Sequence, residues 1–102
     1  MDLQKTLDWI EQKGGVYVWE AEVKAIDFSD CALSDSEIEL LLALEGLQQL
    51  AINIDGISTD SIIRIAKIEG VESLVLFGEK AKNLELIELN KKCLGTQIIL
   101  GS

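Results

Sequence analysis

The residue types that most often carry chemistry are thinly represented. The 102 residues contain no histidine, which removes the commonest general base and the commonest zinc ligand. Two cysteines, Cys31 and Cys93, stand far apart with no C-x-x-C pair, too few for a metal knot or a disulfide framework. Both are expected to be packing thiols. The glycines fall singly or in the pair Gly14-Gly15, without the spacing that cradles phosphate. Carboxylates are plentiful, and Glu37, Glu39 and Glu45 are expected on one solvated helix face. Trp9 and Trp19 are expected to bury a cap at one end of the chain, or to anchor an interface. The residues therefore predict no catalytic site, no metal and no cofactor.

Charge narrows the partners. The net charge is −9 with a pI near 4.3, a balance that repels nucleic acid and anionic membrane and suits a basic protein. At 48% hydrophobic residues the chain has enough apolar content to form a core, and its length is that of one domain. No basic-then-apolar leader follows Met1-Asp2-Leu3, and no run reaches transmembrane length. A cytoplasmic location is the resulting expectation.

What must position any site is a repeat. Three segments align without gaps: Val23 to Gly46, Leu47 to Gly70, and a third that starts at Val71, a period of 24 residues. Val23, Leu47 and Val71 share a column, as do Ile26, Leu50, Leu74 and Ile98, and then Phe28, Ile52, Leu76 and Leu100. Leu33, Ile57 and Ala81 follow, and the helix halves align Ile38 with Ile62 and Leu86, Leu41 with Ile65 and Leu89, and Leu44 with Ile68. Only Gly95 and Lys92 break the columns. Each copy begins with period-two alternation, Ile26 and Phe28 inward, Ala25, Asp27 and Ser29 outward, which predicts a strand. Each then passes to helical spacing behind a serine cap: Ser34 with Glu37 as a capping box, then Ser58 or Thr59. Gly46 and Gly70 are expected to end the helices in left-handed turns. Strands are predicted near 24–28, 48–52, 72–76 and 97–100, and helices near 35–45, 59–69 and 83–92.

The columns L-x-x-L-x-L-x-x-N/C-x-L resemble leucine-rich repeats. Val23, Ile26, Phe28, Cys31 and Leu33 fill the pattern first, then Leu47, Leu50, Ile52, Asp55 and Ile57, then Val71, Leu74, Leu76, Glu79 and Ala81. The 24-residue length is similar to short bacterial repeats of the ribonuclease-inhibitor-like kind. Asp55 and Glu79 depart from the Asn or Cys of the turn slot. Asp55 is expected to imitate Asn there in part, and Glu79 to face solvent. The resemblance implies an α/β leucine-rich-repeat solenoid of about three repeats with parallel strands, in one domain over 1–102: cap 1–22, repeats 23–46, 47–70 and 71–94, and a final strand over 95–100. A helix over 2–13, stopped by Gly14-Gly15, and a strand Val16 to Trp19 form the cap. The link Glu20-Ala21-Glu22 is too short for a parallel crossover, so the strands it joins should be antiparallel.

Repeat proteins of this kind bind through the open strand face. The outward positions here are Ala25, Asp27 and Ser29, Gln49, Ala51 and Asn53, Ser73, Val75 and Phe77, and Gln97 and Ile99. Of these, Ala51, Asn53, Val75, Phe77, Gln97 and Ile99 form the expected interaction surface for a protein partner of unknown identity, basic by charge complementarity. The last strand also presents a bare edge, and a homodimer could form through that edge or through the Val75, Phe77 and Ile99 patch. A second resemblance, to anti-sigma-factor antagonist domains, rests on the strand from Val23 and on Asp35-Ser36. It implies a phospho-switch with Ser36 as its site, and a mixed strand order.

Overall fold

The computed structural model describes residues 3–68, 70–82 and 96–101, and of Cys31, Ala32 and Lys82 the backbone only. Helix α1 (Leu3–Gln12) opens the chain and buries Thr6, Leu7 and Ile10, one stripe of its surface. It stops where Gly14 takes φ 90° and the Gly15 amide donates to the Ile10 carbonyl at 2.9 Å. Gly15 itself lies so close to the next element that a Cβ there would stand 2.7 Å from the Phe28 ring.

Strand β1 (Val16–Trp19) follows and turns into β2 (Lys24–Ala32). The two pair antiparallel, with Val16 opposite Asp27 and Val18 opposite Ala25, as the short link requires. From β2 the chain runs through α2 (Asp35–Leu42), β3 (Gln49–Asn53), α3 (Thr59–Ala66), β4 (Ser73–Phe77) and α4 (Glu79–Lys82) to β5 (Gln97–Leu100). The strands lie in sequence order in one sheet. β2, β3, β4 and β5 are parallel, and the pairing sets Ile26 beside Leu50, Leu50 beside Leu74 and Leu74 beside Ile98. Every matched residue in these rows stands 24 positions from its neighbour until β2 bulges after Phe28, so the sequence period is the register of the sheet. The result is a small α/β fold with a five-stranded, mostly parallel sheet and four helices among the described residues.

Parallel neighbours need a crossover, and right-handed crossovers put α2 and α3 on the same side of the sheet. The alternation of each strand then decides what is buried. Ile26, Phe28, Leu50, Ile52, Leu74, Leu76 and Ile98 point into the core, where they meet Ile38, Leu41, Ile62 and Ile65 from the helices. Burying one such side chain contributes roughly 1.5–3 kcal/mol, so these columns dominate stability. Two members fall short: Val23 is 43% exposed and Leu100 is 36% exposed. Val23 lies in the first copy, where no preceding unit covers it, and Leu100 lies on the edge strand.

The helices are shorter than their sequence spacing suggests. α2 ends at Leu42 and α3 at Ala66, while Gly46 and Gly70 take the expected left-handed φ of 87° and 94° after short connecting turns. The cap of α3 is Ser58 rather than Thr59, and its side chain accepts from the Ser61 amide at 3.2 Å. At α2 the Ser34 amide donates to Glu37 Oε1 at 3.1 Å. Glu37 does not sit on a purely solvated face. Its second oxygen pairs with Lys13 Nζ at 2.9 Å, which ties the end of α1 to α2. The Lys13 hydrogen bond, with that from Ser34, holds the Glu37 carboxyl below the ordinary glutamate range. A short helix not expected from the sequence, α4, occupies Glu79–Lys82, and the expected helix over 83–92 lies outside the described residues. No described helix is long and apolar enough to cross a membrane.

Candidate interaction face

The side of the sheet away from the helices is where the outward positions gather. Across the strands they form rows fixed by the pairing. One row runs Val16, Asp27, Ala51, Val75, Ile99. Beside it runs Val18, Ala25, Gln49, Ser73, Gln97. A third pair, Asn53 and Phe77, lies toward the carboxyl ends of β3 and β4. Val16 is 67% exposed, Val18 44% and Ile99 40%, whereas Ala51 and Val75 are half-buried by their neighbours.

Side-chain size gives this face relief. Ala25, Ala51 and Ser73 are short, while the valines of β1 stand on one side and Val75 on the other. Between them lies a shallow groove of about 260 Å³, lined by Val16, Val18, Ala25, Asp27, Ala51 and Val75, among others. Between Val16 and Val18, Tyr17 pairs with the inward Ile26 and packs against the core on the other side of the sheet. The Tyr17 hydroxyl donates to Glu11, and this bond to a neighbouring carboxylate holds the phenol above its usual pKa.

The expected surface residues are not equivalent. Val75 and Ile99 are direct register partners. Phe77 is half-buried and packs on the backbone of the segment after β5: a Cβ at Gly101 would stand 2.3 Å from its ring. The Asn53 side-chain oxygen accepts from the Asp55 amide at 3.0 Å, so that residue shapes its own turn. Gln97 is exposed at the end of its row. Val16 and Val18 belong to this face and were not foreseen as part of it. Their signal was available in the antiparallel link, because pairing Val18 with Ala25 puts both on the outward side.

The loops at the carboxyl ends of the strands are tied from copy to copy. Asp35 accepts from the Ser58 amide and the Ser61 hydroxyl, both at 2.8 Å. These bonds, led by the backbone one, hold its carboxyl below the ordinary aspartate range. Asp55, in the turn slot, accepts from the Glu79 and Lys80 amides at 3.3 and 2.8 Å and so caps α4. Glu79 is exposed, as expected. The Lys80 ammonium donates to the Ile57 carbonyl. Asp55 therefore does the bonding expected of Asn, directed at the following unit.

Trp9 is half-buried and its ring meets Phe28 at a centroid distance of 5.4 Å, tilted by 55°, so it packs the cap onto the core. Trp19 packs there too. Ser36 is exposed in the first turn of α2, with its hydroxyl 3.0 Å from that of Ser34. Cys93 and the side chain of Cys31 lie outside the described residues. Among the described residues no group of three His, Cys, Asp or Glu is placed to hold a metal ion.

No known family model matches the chain, and no curated protein or solved structure matches it either.

Proposed function

We propose that the chain is a non-enzymatic interaction or scaffolding module, a short leucine-rich-repeat solenoid that engages a partner protein through the open face of its sheet. The observation that carries this reading is the row Val16, Asp27, Ala51, Val75, Ile99, laid across all five strands and uncovered by any helix among the described residues. An apolar row left uncovered on a small protein is commonly a contact surface. The 24-residue offset between the parallel strands, kept up to the bulge after Phe28, supports the solenoid. The sequential strand order is the one expected of stacked repeats, whereas a phospho-switch at Ser36 was tied to a mixed order.

The test is a comparison of variants as affinity baits. Val75→Ser with Phe77→Ser is expected to lose the proteins retained by the wild type. A control at Glu39, on the helix side, should retain them. Equal capture by the double variant, with its fold intact by circular dichroism, refutes the open face as the site.

A further inference from the structure

We propose that the open-face groove receives a cationic, aliphatic segment of another protein, with a lysine or arginine of that segment meeting Asp27. This rests on the open face being the binding surface, and it names the chemistry of what binds there. Asp27 is the one charged residue in the row Val16, Asp27, Ala51, Val75, Ile99, which is otherwise apolar. One of its oxygens is taken by the Ser29 amide at 2.8 Å, which fixes the carboxylate at the mouth of the groove. No cation pairs with it among the described residues.

Four of the chain's cations are bonded elsewhere. Lys13 meets Glu37, and Arg64 meets Glu39 at 2.7 Å. Lys80 meets the Ile57 carbonyl, and Lys24 lies over Gly46 with its ammonium on the Ala21 carbonyl. The loops flanking the strands carry Glu20, Glu22, Asp55 and Glu72, all exposed. With a net charge of −9, a second copy of this chain or any acidic segment is repelled from the groove, and a basic one is drawn in. The short floor at Ala25 and Ala51, between the β1 valines and Val75, accepts aliphatic side chains beside that cation.

The probe is a capped pentapeptide, Leu-Val-Arg-Val-Leu, titrated into isotopically labelled protein and followed by backbone amide shifts. Analogues carry Gln or Glu in place of Arg. Asp27→Asn keeps the acceptor for Ser29 and removes only the charge, and Ala51→Leu fills the groove from an outward position. The Arg peptide is expected to move the amides of Val16, Asp27, Ala51 and Val75, and Ala51→Leu should abolish this. Asp27→Asn should weaken it about fivefold, the worth of one exposed ion pair, and the Gln peptide should bind the wild type that weakly.

If Arg and Gln peptides bind alike and Asp27→Asn changes nothing, while Ala51→Leu still abolishes binding, the cationic partner is refuted and the open face stands. If Ala51→Leu leaves Arg-peptide binding unchanged, both readings fail. A tighter Glu peptide, or no shift with any peptide, overturns the proposal. So do shifts of the same amides with protein concentration alone, which would make the occupant a second copy.

Discussion

Gly56 and Gly70 separate two reasons for which a repeat needs glycine, and substituting them tests whether consecutive copies are packed backbone to backbone. Gly56 lies in the loop between β3 and α3, one residue before Ile57. A Cβ there would stand 2.4 Å from the Leu33 carbonyl oxygen of the preceding copy. That atom belongs to the main chain and cannot rotate aside, so the two loops must separate. Overpacking of this kind costs about 1–3 kcal/mol. Gly70 has room, with its nearest neighbour the Leu47 carbonyl oxygen at 3.6 Å, but its φ is +94°. Alanine there meets a torsional cost of about 1–2 kcal/mol. Alanine scanning alone does not separate the causes, since both variants should lose roughly 4–8 °C in Tm per kcal/mol for a domain of this size.

Asparagine separates them, because it tolerates positive φ but is larger than alanine. Gly70→Asn should recover much of the stability lost in Gly70→Ala, while Gly56→Asn should be no better than Gly56→Ala. Chemical unfolding of the four variants, read by circular dichroism, gives the comparison. If Gly56→Ala loses less than about 0.5 kcal/mol, within the range of a neutral surface substitution, the close approach of successive loops is not what holds Gly56.

Asp35 should confer acid sensitivity. Its folded pKa is lowered by the Ser58 and Ser61 bonds, so its contribution is complete above the unfolded value of about 3.9 and lost as pH falls through the folded one. Asp35→Asn should flatten the fall of Tm below about pH 4, and an unchanged profile would remove Asp35 from the acid response. At the cap, Glu37→Gln breaks a half-exposed ion pair and should cost under about 1 kcal/mol. Gly15→Ala, pressed against the Phe28 ring, should cost about 1–3 kcal/mol, and the reverse ranking in urea melts would mean that charge rather than packing docks α1. Because Val75 and Phe77 face outward, Val75→Ser with Phe77→Ser should remain folded at 25 °C, and a chain unfolded at that temperature would make these residues core.

Much of the sheet was legible because one number governs it. The 24-residue column that aligns Ile26 with Leu50, Leu74 and Ile98 is also a hydrogen-bonded row, since parallel pairing of equal units has the register of the repeat. The period-two pattern likewise placed Asp27, Ala51 and Val75 outward. Contacts between unlike elements left no such trace. Nothing periodic links Glu39 to Arg64 or Asp35 to Ser61, because each joins residues with different places in their units. The short helix α4 was not foreseen because Glu79 was assigned to a turn slot. Gly78 takes φ +108° there and Asp55 supplies the cap from the preceding copy, so a helical turn stands where sequence spacing alone suggested a loop. Phe77 was legible as outward, but its cover by the backbone at Gly101 depends on a tight approach that no residue type announces.

The uniform offset between strands makes the face a ruler. Each additional unit would widen it by one strand spacing, about 4.8 Å, without altering the graduations already present. The ruler has a fixed zero, because β1 runs against the other strands and ends the series on its side with Val16 and Val18. A longer relative built on this plan would therefore gain reach in one direction only, and its partner would be measured outward from the Val16–Asp27 pair.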